Sequence, residues 1–179
     1  MGAADEYELI TRAVHFTLSH AQEVGLQVVH ELQTKAHTPL VNALRMLTMQ
    51  STITAIGCFS AFEAVLQQTR GWPRPFAEVN SLLRNRSMTE LADRFLDYRS
   101  AINVLKHGAG PSYDRLLERQ ANLNFKVKAR GEPFFEEGDV AEGMRLIDAD
   151  HQFVRQCSNL ITEIVEALRS DLANSWDQY

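Results

Sequence analysis

The residues best suited to chemistry lie in one short stretch, Tyr98-Arg99-Ser100-Ala101-Ile102-Asn103-Val104-Leu105-Lys106-His107-Gly108. If it is helical, each residue advances about 100°. With Ile102 at zero, Leu91, Phe95, Tyr98 and Leu105 fall within about 60° on an apolar side. Lys106, Arg99, Asn103 and His107 follow at about 40°, 60°, 100° and 140°, a continuous polar arc beside that side. Arg99, Asn103 and His107 are successive i, i+4 neighbours. Two cations, an amide and an imidazole thus share the last two turns of one helix. Arg and Lys can bind a phosphate and stabilise the charge of a pentacoordinate transition state. A histidine can exchange the proton of a ribose 2′-hydroxyl or of a leaving oxygen. The alternative is structural: basic residues in a last turn suit the helix dipole without further purpose.

Other chemistries find less support. Cys58 and Cys157 both lie in apolar stripes, and no Cys-x-x-Cys exists for zinc or dithiol chemistry. Gly108-x-Gly110 ends a helix instead of linking a strand to one, so it does not match a nucleotide fingerprint. No Gly-x-Ser-x-Gly is present. A di-iron bundle requires two Glu-x-x-His elements, whereas Asp148-x-x-His151 has no second copy. His15, His20 and His30 do not share a helical face, and His151 reads as a core histidine with one hydrogen-bond partner. No metal or cofactor is expected, and a metal-dependent bundle enzyme is the third-ranked reading.

The elements that must hold the arc follow from periodicity. Tyr7, Ile10, Val14, Leu18, Ala21, Val24, Val28 and Leu32 mark one face of a helix from about Asp5 to Ala36. Thr38-Pro39 starts a second helix, which runs to Arg70 and stops at Gly71. Its stripe is Leu40, Leu44, Leu47, Thr54, Cys58, Ala61 and Val65, and the short connection makes the pair an antiparallel hairpin. Gly71-Trp72-Pro73-Arg74-Pro75 breaks the chain before a short helix from Phe76 to about Arg86. Ser87-Met88-Thr89-Glu90 reads as a capping box for the helix that ends at His107-Gly108. Gly108-Ala109-Gly110-Pro111 is a turn, and Ser112 can cap a short helix through Leu117. Phe125 to Arg130 alternates apolar and basic residues before Gly131-Glu132-Pro133, as an extended arm, a small hairpin or a loop pinned by Phe125, Phe134 and Phe135 would. Asp139-Val140-Ala141-Glu142 is a further capping box, for a last helix through Val140, Met144, Ile147, His151, Val154, Cys157, Ile161, Val165, Leu168 and Leu172. Trp72 and Trp176 read as core or interface residues.

These elements predict one all-α domain over 1–179: an up-down helical bundle of four long helices, with short helices and an extended segment or small β-hairpin near 123–136. The composition agrees, with 179 residues, 45% hydrophobic, nine glycines and five prolines, too few turn-formers for a many-stranded sandwich. Two cysteines cannot form a disulfide scaffold. The acidic start, Met1-Gly2-Ala3-Ala4-Asp5-Glu6, lacks a signal-peptide pattern, and Glu6 breaks a myristoylation pattern. Met46 to Phe62 carries no charge but holds many hydroxyls. It is expected to be a central helix buried on most sides in a cytoplasmic protein that does not span a membrane. The net charge of −5 is uneven. Arg70 to His107 holds seven basic residues against four acidic, and Glu132 to Asp171 holds ten acidic against three basic. The two halves could place RNA on one side or pair with each other.

Arg-x-x-x-Asn-x-x-Lys-His-Gly at a helix end, in an all-helical chain of this size, resembles the HEPN superfamily (higher eukaryotes and prokaryotes nucleotide-binding). Ala61-Phe62-Glu63-Ala64-Val65-Leu66 is similar to the family's helix with an embedded glutamate. The spacing from Arg99 to His107 is longer than the family's usual one; Asn103-x-x-x-His107-Gly108 matches best. The resemblance implies a dimeric, metal-independent endoribonuclease or RNA-binding protein, as in toxins and defence factors, with two copies of the motif facing a cleft. It gives His107 and Arg99 catalytic roles and makes Lys106 and Asn103 substrate-binding; an antitoxin or other protein partner is also implied. The rival reading is a non-catalytic, dimeric helical interaction module whose polar arc is structural.

Overall fold

The computed structural model describes residues 3–32, 38–129, 132 and 146–173. Two long helices come first, α1 (Ala3–Leu32) and α2 (Thr38–Arg70). The Tyr7 ring meets Phe62 at 5.8 Å, and a methyl group at Gly25 would meet Leu47 at 3.5 Å. One helix therefore runs forward as the other runs back. Arg70 ends α2 because Gly71 takes φ +63° and its N–H still bonds the Gln67 carbonyl. α3 (Pro75–Asn85) has its proline in the first turn, where no N–H is needed. α4 (Thr89–His107) ends at Gly108, φ +76°. α5 (Pro111–Glu118) and a 3₁₀ turn (Gln120–Asn122) follow, then α6 (His151–Ala167) and α7 (Arg169–Ala173). Among the described residues 84% are helical and none forms a strand, so the class is all-α.

α1 packs along α2 and α6, and α4 packs against α2, α3, α5 and α6. Val14, Leu18, Phe59, Phe62, Phe95, Tyr98, Phe153 and Ile161 meet in the core. Phe59, Phe76 and Phe95 interlock, with Phe76 edge-on to Phe95 at 5.3 Å. Tyr98, Phe125 and Phe153 form a second aromatic group.

Several expectations are corrected. The stretch Met46 to Phe62 of α2 is not buried on most sides, and α4 is the more enclosed helix. In α2 nothing before Ser51 is buried, while Met46, Met49 and Ile53 face outward. By length and composition alone α2 is apolar enough to cross a membrane. Its deepest face is Ala55, Phe59, Phe62 and Leu66, rotated about 80° from the centre of the expected stripe, of which Cys58 is also buried. No capping box forms at Ser87: that residue adopts φ +61°, and Met88 occupies the cap position without a side-chain bond. Ser112 does not cap α5, because Pro111 in the first turn places the cap at Gly110.

The last helix expected through Ile147 and His151 is not continuous: residues 147–150 are not helical. Val127 and Ile147 form a single antiparallel β-bridge, held by Lys128 N–H to Leu146 O (2.9 Å) and Asp148 N–H to Lys126 O (3.2 Å). The Phe125–Lys128 segment therefore pairs at one position, with 146–148, and no strand forms among the described residues. Phe134, Phe135, the box at Asp139–Glu142 and Trp176 lie outside the described residues. α6 starts at His151 because the Asp150 carboxylate accepts the Phe153 N–H at 2.7 Å. His151 is half-buried in the first turn, not in the core.

Partial burial and the neighbouring Asp150 raise the Asp148 pKa, and Lys126 partly offsets this. The folded state holds this proton more tightly than the unfolded chain. Its contribution is present below the ordinary carboxylate range and is lost as pH rises through the raised value. Asp148→Asn should raise the melting midpoint at pH 7 by about 1–2 °C, allowing for screening, and leave it unchanged near pH ~3. Thermal melts at the two pH values check this.

Candidate functional site

α4 is enclosed on nearly every side. From Asp97 to His107 the residues that are not buried are Arg99, Asn103, Lys106 and His107. The remaining faces are closed by α2, α3, α5 and α6. The strip left open is thus the polar arc expected from helical periodicity.

Each member is held differently. The Arg99 guanidinium lies 5.7 Å from the centre of the Phe76 ring of α3, a cation–π contact that orients it without neutralising it. The Asn103 amide donates to Ser112 Oγ across the turn at a long 3.4 Å, which leaves its carbonyl oxygen available. Lys106 and His107 are exposed in the last turn, beside the carbonyl end of the helix. Tyr113, which could have engaged the imidazole, donates its hydroxyl to the Lys128 carbonyl.

The surrounding charges sharpen the site. Arg94 makes a two-pronged pair with Glu163 of α6 (2.9 and 3.1 Å). Arg86 reaches Asp171 at 2.7 Å and Ser170 at 2.6 Å in α7, and Arg84 pairs with Asp93 at 2.7 Å. Two of the basic middle segment's arginines therefore bind the acidic C-terminal segment within the chain. Arg70 covers the Trp72 ring at 5.2 Å. Arg99 and Lys106 have no carboxylate partner among the described residues.

One group escaped the sequence reading. Asp97, 4% exposed, sits on the face of α4 away from the arc. It accepts from Arg119 Nε and a terminal nitrogen (2.7 and 2.9 Å), and from Arg115 at 3.3 Å. The hydrogen bond to Asp97 is the main reason the Arg119 pKa rises further. Arg115 and Arg119 stand one turn apart at the end of α5 and just beyond it, and that i, i+4 spacing was the available signal.

The cysteines lack reactive character: burial pushes Cys58 up to about 12 and Cys157 well above its usual value. Burial also raises the Tyr98 phenol strongly; its hydroxyl reaches Asn124 at 2.9 Å and Gln156 at 2.7 Å. Among the described residues no three His, Cys, Asp or Glu side chains converge as a metal site would require.

Comparison with known proteins yields no matching family model, curated protein or solved structure.

Proposed function

We propose that this protein is a HEPN-like cytoplasmic protein, built as an up-down bundle, that binds RNA and cleaves it without a metal. One observation carries the reading: the strip of α4 that is not buried holds Arg99, Asn103, Lys106 and His107, and its cations lack carboxylate partners among the described residues, while Arg84, Arg86, Arg94, Arg115 and Arg119 are paired. Arg99 and Lys106 would hold the phosphate. His107 would take the 2′-hydroxyl proton as the 2′-oxygen attacks phosphorus, or protonate the departing 5′-oxygen. The products would be a 2′,3′-cyclic phosphate and a 5′-hydroxyl. The Asn103 carbonyl oxygen would orient the imidazole or the substrate. A role as a toxin or defence factor, with an antitoxin as protein partner, belongs to the same reading.

The purified protein should cut single-stranded RNA in EDTA. His107→Ala should lower the rate by about 10²–10⁴-fold with an unchanged melting temperature. Intact RNA with the wild type, or an unaffected rate in the mutant, would defeat the proposal. The second reading, a non-catalytic interaction module, draws on a different observation, the exposed apolar side chains of α1 and α2.

A further inference from the structure

The outward face of α2 is graded in size. Met46, Met49 and Ile53 are 71%, 49% and 62% exposed, and Gly57 and Ser60 continue the line, also exposed. A Cβ at Gly57 would meet nothing within 4 Å. These five positions fall within about 80° of arc, opposite the buried Ala55, Phe59 and Phe62. No charge interrupts Met46 to Phe62. A continuous apolar stripe in water marks a contact surface.

The spacing selects the occupant. Met49 lies four residues before Ile53 and Gly57 four after; Met46 lies seven before and Ser60 seven after. Two α2 helices laid antiparallel about a two-fold axis at Ile53 set each Met49 over the other copy's Gly57. They likewise set each Met46 over the other copy's Ser60. A bulky side chain then meets a gap at both ends, the self-complementarity an isologous contact requires.

The charges give the same centre independently. Between Thr38 and Thr69, α2 carries two charged residues, Arg45 and Glu63. Neither has an ion-pair partner among the described residues. They stand eighteen residues apart, which is about five full turns, so they occupy one flank of the stripe. Their midpoint falls at Thr54, one residue from the steric centre. The antiparallel arrangement therefore sets Arg45 of each copy beside Glu63 of the other.

We infer that α2, and not the α4 strip across which the HEPN resemblance would place the contact, is the interface of a two-fold homodimer centred at Ile53–Thr54. The inference does not depend on activity toward RNA. Sedimentation velocity on the full chain should show a dimer. Gly57→Leu, which fills open space in the single chain, should raise the dimer Kd about 100-fold with unchanged helicity by circular dichroism. Arg45→Glu should weaken the dimer about tenfold at low salt, and adding Glu63→Arg should restore it. Ile53→Cys should cross-link to itself under mild oxidation, since the native thiols are buried. A wild type that stays monomeric at about 100 µM, a Gly57→Leu dimer of unchanged affinity, or no Ile53→Cys cross-link would each overturn the interface. So would a monomer that binds phosphatidylcholine vesicles through the stripe, which would assign this face to a membrane.

Discussion

Replacing Arg115 and Arg119 together with alanine should lower stability by about 3–5 kcal/mol. The expectation follows from where the charge is left. The Asp97 side chain is 6% exposed, whereas the two guanidinium-bearing side chains are 37% and 30% exposed. The arginines can rehydrate when the contact is lost, but the carboxylate cannot. Removing the donors strands a charge inside the helix packing, which costs far more than a surface ion pair contributes. Asp97→Asn added to the double mutant should recover most of the loss, because a neutral amide is less costly to bury. Urea unfolding of the three variants measures both effects. A double-alanine loss under about 1 kcal/mol would show that Asp97 reaches water by another route. Since α5 is tied to α4 here and Ser112 touches Asn103, the double mutant should also loosen one edge of the polar strip.

Phe153→Ala should cost about 3–5 kcal/mol, the range for emptying an aromatic site in a close-packed core. Phe153 is 1% exposed. It stacks on Tyr98 of α4 at 5.4 Å and meets Phe125 of the extended arm edge-on at 5.3 Å. Three chain segments therefore share one ring. Beyond the stability loss, amide exchange across Phe125–Lys128 should accelerate more than exchange in α2, because the arm then falls back on one β-bridge and a few side-chain hydrogen bonds at Asn124, Val127 and Lys128. Phe153→Leu, which keeps most of the volume, should cost less than half as much. Equal losses for the two variants, or an arm whose exchange is unchanged, would contradict this account.

How well the chain could be read depended on whether each signal was local. Helix ends marked by Gly71 and Gly108 were legible because a positive φ is a property of one residue and its neighbours. The strip from Arg99 to His107 was legible because four residues on one helix keep their angular order whatever packs around them. The enclosure of α4 was not. Asp97 and Ser100 look like solvent-facing residues until Arg119 arrives from beyond α5, or until Ser100 Oγ turns back to the Leu96 carbonyl. The start of α6 was misplaced for a similar reason. Ile147 keeps the helical period with Val154 but is claimed by Val127, a partner twenty residues upstream. In α2, apolar residues occur on two faces, so periodicity alone could not say which one meets the core. Ser87 had the right type for a cap, but the turn leaving α3 had already taken its backbone into the left-handed region.

The hydrogen bond between Thr11 and Thr162 spans 151 positions of sequence, and it has a consequence for biosynthesis. A ribosome adds about 5–20 residues per second. After α2 has been made, α6 is completed only after a further interval of roughly 5–20 s at that rate. Throughout that interval the α6-facing side of the first hairpin has no native cover. Nascent chains therefore carry uncovered apolar surface during translation, which makes them prone to premature association until α6 arrives.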